Sequence, residues 1–410
     1  MADALLDAEA VARTAAELVR VPSVTGDERA VLEQAAAVAR RLGLAATVVE
    51  HDLAALRAHP DHPGEEAHRT ELYGLVVTVD RPAAAGRSRL ALCGHVDVVD
   101  VGTETWTRAP FSGAIADGHV HGRGAVDMKG GVAAALHALA AAGPGAPCDA
   151  VLHVVAGEED GGLGAFAAVQ ADAAYDACVI PEPTGFDVVC AQAGALTFTG
   201  VVHGRAAHAA ERLHGVSAID RYLPLHAALA ALEDELNADV AHPLMRALPL
   251  PYPLVVGRVA AGEWSSSVPD RLVFEGRAPV RVGEDVAAAR AAVERAVAAA
   301  APDDGLAIEL AWTGGQFASA QTDADGPLAR LVLDVAGAEL GRPARAAGVP
   351  WGADMRLWSG AGVPTVMVGT RGIELAHAVD ERVAVEDLGA VARILAGVIG
   401  RFGDGSAGRT

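Results

Sequence analysis

Long apolar runs, a surplus of positive charge, paired cysteines and internal repeats are all missing from this 410-residue chain. No stretch reaches the roughly 18 to 20 consecutive apolar residues that cross a bilayer as a helix, so no membrane span is expected. Lys and Arg number 32 against 53 Asp and Glu, a formal net charge of −21. That balance argues against a nucleic-acid groove, which needs a basic stripe, and is read as an acidic, solubilising surface. The four cysteines, Cys93, Cys148, Cys178 and Cys190, show no CxxC spacing. Neither a thiolate zinc site nor a disulfide framework is therefore supported, and Cys93 and Cys190, in apolar stretches, read as buried small hydrophobes. The N-terminal MADALLDAEAVARTAAELVR carries acids early and lacks the basic-then-apolar order of a signal peptide, so a cytoplasmic location is expected.

What is present is 51% hydrophobic sequence, enough for a sizeable core. The first half alternates helix and strand. Helices are expected at 4–20, 27–42, 128–142 and 162–171, and strands at 45–50, 72–80, 89–93, 150–155 and 176–180. Such alternation predicts an α/β fold, a mostly parallel sheet sandwiched by helices. After Glu182 the texture changes. Strands at 195–204, 253–260, 268–281 and 306–312 enclose helices at 217–236 and 284–300. The order βαββαβ predicts an inserted ferredoxin-like α+β unit. Helix and strand then alternate again, with helices near 327–340 and 386–402 around a strand at 363–369. The expected division is 1–193 and 315–410 for the α/β domain and 194–314 for the insert.

Five loops, each after an expected strand, carry metal-type ligands. CGHVDVVD sets His95 and Asp97 two apart, on one face of an extended chain, so that Asp97 can accept from the second imidazole nitrogen. GRGAVDMKGG isolates Asp127 among glycines that let backbone approach closely. GEEDGG supplies Glu158 and Glu159, IPEPTG supplies Glu182, and LAHAVDE supplies His377. Singly, each has an ordinary explanation: a surface pair, a solvated loop edge, a stiffened turn. Jointly, two histidines and four carboxylates suit two divalent metals of zinc type, with Asp127 as the candidate bridge. Adjacent residues of an extended loop point to different sides. One glutamate of the pair can then ligate while the other stays free to take a proton from an activated water and pass it to a leaving nitrogen.

These motifs, with VPSVTGDE, the run from Trp106 to Gly131, HGRAAHAA, VPD and GVPTVMVG, make the chain resemble the metallopeptidase and deacylase superfamily of acetylornithine deacetylase, succinyl-diaminopimelate desuccinylase, aminoacylase and glutamate carboxypeptidase. The resemblance implies one metal on His95 and Glu182, the other on Glu159 and His377, and Asp127 between them. It implies Glu158 as general base and acid, Asp97 as the group orienting His95, and a cis peptide between Asp127 and Met128. The inserted unit would be a lid and dimerisation module, with His208 donating to the developing oxyanion from the partner subunit in a homodimer. His203 has no matching role.

The substrate is less sharply marked. Ser266 stands where many relatives carry an asparagine, and Pro279 where they carry an arginine, which leaves Arg277 the nearest cation. Arg356 in GADMRLW matches a carboxylate-binding arginine of desuccinylase-like members, and an interdomain salt bridge is the competing role. Arg371 in GTRG is a further charge near the expected mouth. The implied activity is a zinc-dependent (or cobalt- or manganese-dependent) amidohydrolase. It would cleave the amide bond of an N-acyl amino acid or small peptide beside a free carboxylate. A carboxypeptidase or dipeptidase of the same family is the alternative, and a non-catalytic ligand-binding relative the remoter one.

Overall fold

The computed structural model describes residues 2–81 and 86–403. The strands that matter here are β1 (Leu44–Glu50), β2 (Tyr73–Val79), β3 (Arg89–His95), β4 (Asp149–Val155), β5 (Ala177–Ile180) and β6 (Val188–Gln192). They are followed by β7 (Gly194–His203), β8 (Val255–Ala261), β9 (Arg271–Val280), β10 (Ile308–Phe317), β11 (Ala320–Gln321), β12 (Ala346–Val349) and β13 (Thr365–Met367).

A nine-stranded sheet runs in the order β1-β2-β4-β3-β5-β13-β6-β11, with β12 also on β6. Its centre, β4-β3-β5-β13, is parallel, and β1 and β2 join antiparallel at one side. Helices pack on its faces, among them α1 (Ala8–Val19), α2 (Arg29–Arg41), α3 (Gly130–Ala142) and α4 (Leu163–Ala171). β3 and β5 are buried almost throughout, as strands covered on both sides must be. A core of Val, Leu, Ile and Ala links them to the C-terminal helix, Val385–Arg401.

The insert is a four-stranded antiparallel sheet in the order β8-β9-β7-β10. α5 (Ala218–Ala238) and α6 (Val286–Ala300) supply its helical layer, packing Leu225, Leu229, Val293 and Val297 against Phe198 and Phe274. This is the βαββαβ unit expected from the sequence. Among the described residues no helix is long and apolar enough to cross a membrane. All four cysteines are buried.

Several boundaries move for identifiable reasons. The helix expected over 4–20 is two, Ala2–Leu5 and Ala8–Val19, because the Asp7 side chain accepts from Ala10 N and starts a new helix. The strand expected over 268–281 is split into Ser267–Val268 and Arg271–Val280, with Pro269, which has no N–H to donate, between them. The helix expected from 128 begins at Gly130: Asp127 and Met128 are non-helical (φ −122°, ψ 97° and φ −128°, ψ 32°) and joined by a cis peptide bond. β6, β12 and the short helix Met355–Gly360 were not expected. Each is four to six residues long, too short for either periodicity to register.

Candidate metal centre

The parallel pairing of β3 with β4 sets His95 level with Val155. His95 therefore ends its strand beside the turn that carries Glu158 and Glu159. β5 ends at Ile180, two residues before Glu182. Three of the five expected loops thus open at the carboxyl ends of neighbouring parallel strands, where open α/β sheets place their ligands.

Asp127 lies between two imidazoles. Its Oδ1 is 3.1 Å from His95 Nε2 and its Oδ2 is 3.5 Å from His377 Nε2. Glu182 Oε1 stands 3.8 Å from the first imidazole, and Glu159 Oε2 3.0 Å from the second. Two groups of three result, His95–Asp127–Glu182 and Asp127–Glu159–His377, each with ligand atoms within 4.8 Å of one another and each able to hold a metal ion. Glu158 belongs to neither. Its Oε2 is 4.0 Å from His95 Nε2, and it is buried.

Asp97 is fully buried, but its carboxylate does not reach the His95 ring at hydrogen-bond distance. Oδ1 is 3.6 Å from Nδ1, and the Asp97 main-chain carbonyl, at 3.1 Å, is the acceptor. The carboxylate is occupied elsewhere: it accepts from Glu158 N (3.1 Å), Glu159 N (3.0 Å) and Thr25 Oγ1 (3.2 Å). Asp97 thus fixes the turn bearing both glutamates while lying against the imidazole.

Two further residues, not singled out in the sequence, hold the bridge. Glu381 accepts from Gly124 N and Val126 N, both at 2.9 Å, and from Asp127 N at 3.3 Å. Arg123, buried with it at 2.9 Å, donates to Ala378 O (3.1 Å) and His377 O (3.2 Å). The pair ties the Asp127 loop to the His377 loop. A charged residue inside each of two glycine- and alanine-rich motifs was the available signal.

The electrostatics fit a dication. Burial pushes the Glu158 and Glu182 carboxyls well above the ordinary carboxylate range, opposed by His95 and reinforced by neighbouring acids. Burial and then Asp127 raise Glu159. Hydrogen bonds to Asp127 and Glu159 lift His377 to about 10. More buried negative charge converges here than two imidazoles can balance, and imidazole with carboxylate oxygen is a zinc-type donor set.

The arginines separate. Arg356 is buried, donates to Gly161 O (2.5 Å) and Ala353 O (3.2 Å) and lies over the Phe317 ring at 3.9 Å. It supports the glutamate turn. Arg371 is tied to Asp387 and Glu386. Arg277 is half-buried and makes one long contact, to Pro350 O at 3.4 Å. No ion pair among the described residues includes it, and burial lowers its pKa. His208 belongs to neither group; it is exposed on a short ladder with Ser267, its Nδ1 accepting from Ala210 N.

A metal-type cluster at the carboxyl ends of a parallel sheet, with a free buried carboxylate beside it, defines a metallohydrolase-like site. The chain belongs to the peptidase family M20/M25/M40, whose model matches residues 91–401, and it is a hydrolase acting on amide or peptide bonds. It is 32% identical to a succinyl-diaminopimelate desuccinylase of Methylorubrum extorquens over 404 residues, 94% of this chain and 97% of the relative. Its fold is shared with the M20 metallo-carboxypeptidase Sso-CP2 of Sulfolobus solfataricus (TM-score 0.73, 15% identity, 94% of this chain and 98% of that one). It is shared also with YXEP of Bacillus subtilis, a dinuclear metal-binding M20 peptidase (TM-score 0.65, 16% identity, 97% and 98%).

Proposed function

We propose that the chain is a di-metal deacylase that cleaves the amide bond of an N-acyl amino acid bearing a free carboxylate, with N-succinyl amino acids the first class to try. The observation that carries this reading is Asp127, whose two oxygens face different imidazoles, with Glu158 left outside both groups. The likeness in sequence to desuccinylases over nearly the whole chain supports the acyl class.

His95, Asp127 and Glu182 would hold one divalent cation and Asp127, Glu159 and His377 the other, with zinc the first candidate and cobalt or manganese alternatives. When bound, the cations would polarise the scissile carbonyl and acidify the attacking water. Glu158 takes the proton from that water and hands it to the leaving nitrogen. Its burial suits it, since a carboxylate whose pKa is raised is a stronger base toward water than an ordinary one. Asp97, through the two amide N–H groups it accepts from, keeps Glu158 and Glu159 facing different ways. Arg277, a guanidinium with no carboxylate partner among the described residues, is the anchor for the substrate carboxylate, in preference to Arg356, whose Nη1 and Nη2 are engaged.

His208, outside both ligand groups, would serve the active site of a second copy, which makes a homodimer through the inserted unit part of the proposal. The exposed edge strand β8, with Val255 52% and Val259 49% exposed, supports it. A cytoplasmic location belongs to the same reading. Hydrolysis of N-succinyl, N-acetyl, N-formyl and N-carbamoyl amino acids and of dipeptides, alongside metal analysis, tests the whole. Cleavage of dipeptides alone would favour the peptidase alternative, and no hydrolysis in a protein holding two metals would refute the proposal.

A further inference from the structure

We infer that Arg69 is a positioning residue for Glu158, holding the turn of residues 157–162 from behind; the inference rests on Glu158 being the proton carrier. That turn has little shape of its own. Gly157, Gly161 and Gly162 all take positive φ (72°, 149° and 76°), so half its residues are ones that cost most to order. Something must hold it, and Asp97 does so from the metal side only.

Arg69 does so from the other. Its side chain is fully buried. The guanidinium lies against Gly157: a Cβ there would be 2.8 Å from Nη2, 2.9 Å from Nη1 and 3.1 Å from Cζ. Nη2 donates to Asp160 Oδ1 at 2.9 Å, and Nη1 to Glu28 Oε1 at 3.3 Å. Arg69 therefore touches the turn on both sides of the glutamate pair, at Gly157 and at Asp160. The second oxygen of Asp160 accepts from Glu66 N (3.1 Å) and Ala67 N (2.9 Å), and Glu28 Oε1 accepts from Gly26 N (2.7 Å). A buried ion network thus pins the turn to the VPSVTGDE segment and to the loop before β2.

The two glutamates do not depend on this network equally. Glu159 is held at its far end by His377 at 3.0 Å. Among the described residues Glu158 has no such tie; its closest ionic neighbour is His95 Nε2 at 4.0 Å. A loosened turn would let Glu158 swing while Glu159 stayed anchored. Misplacement of a reacting group by about 1 Å can cost roughly 100-fold in rate, so the effect falls on turnover.

The test compares Arg69→Met, Arg69→Lys and Asp160→Asn with Glu158→Gln, measuring kcat, KM and metal per chain on a hydrolysed substrate. Arg69→Met is expected to lower kcat about 10- to 100-fold, with KM within about threefold and two metals retained. Arg69→Lys should recover part of the loss. Added to Glu158→Gln, Arg69→Met should lower kcat no further, as expected of a group acting through Glu158. Unchanged kcat in Arg69→Met, or metal lost in step with kcat, would overturn the inference. If Arg69→Met does not fold, the nearly isosteric Asp160→Asn decides by the same criteria. Retained turnover in Glu158→Gln would instead refute the proton-carrier reading itself, and full activity in Arg69→Met beside an inactive Glu158→Gln would refute the Arg69 role alone.

Discussion

At the carboxyl end of the nine-stranded sheet Asp97 is fully buried and its carboxylate accepts from three donors, whereas on the four-stranded unit His208 is exposed, Trp264 is 72% exposed and Leu213 94% exposed. The arginines divide the same way. Arg123 and Arg356 are buried with both terminal nitrogens hydrogen-bonded, and Arg277, on β9, keeps a guanidinium with no ion-pair partner among the described residues. The α/β part has largely over-determined its chemistry: apart from Glu158, its site residues are fixed by one another, as burial in a low dielectric demands. The inserted unit presents groups less fully engaged, and under the proposed function a substrate carboxylate would meet Arg277 and a second subunit would meet His208 and β8.

The sharpest way to break that contrast is Glu158→Gln. Turnover should fall by about 100- to 10,000-fold or more, since under the proposed function one residue would serve both proton transfers, while atomic absorption should still find two metals per chain. Loss of metal here with retention in Glu159→Ala would mean that the two glutamates exchange roles.

His208→Ala should cost about a few hundred-fold in kcat, the range for one oxyanion donor, with metal content intact. Mixed with Glu158→Gln subunits it should regain part of the activity, because one site of a heterodimer would hold both groups. No rescue in verified heterodimers would place the histidine's action within its own chain or nowhere.

The two arginines test the contrast directly. Arg277→Ala should raise KM about 10- to 100-fold for free-acid substrates, the worth of a charge-assisted hydrogen bond, and spare their amides. Arg356→Met should harm acids and amides alike and lower the melting temperature, because it removes support from the glutamate turn. The opposite pattern would exchange their assignments.

The mildest effect on turnover is expected at His153, a buried histidine bonded to the Tyr175 hydroxyl at 2.9 Å and packed against Trp358. Burial pushes its pKa down from 6.5 to about 4. Above pH 6.5 neither folded nor unfolded chain protonates it, and nothing is lost. Between 6.5 and 4 the unfolded chain takes the proton first, so stability falls as pH falls, by up to about 3 kcal/mol. Urea titration of the metal-free protein at pH 7 and pH 4.5 should show this loss, and His153→Phe should reduce it without changing turnover at neutral pH. An equal loss in both proteins would assign it to other groups.

Much of this was legible in the sequence. Periodicity located the long helices and strands, and the βαββαβ order identified the insert, because burial on one face or two imprints a pattern that needs no partner to read. The six ligand-type residues were legible too, since glycine-rich loops after strands expose polar side chains one at a time. What the sequence could not hold was distance. Whether Asp97 spends its carboxylate on His95 or on the amides of Glu158 and Glu159 depends on how β3 and β4 end side by side, 60 residues apart in the chain. That Arg69, Glu28 and Asp160 meet behind the turn, that Glu381 and Arg123 clasp the Asp127 loop, and that Arg356 is committed while Arg277 is open, were likewise decided by tertiary packing. Residue type sets which bonds a side chain can make; only the folded chain, by bringing remote charges into one buried volume, sets which of them it does make.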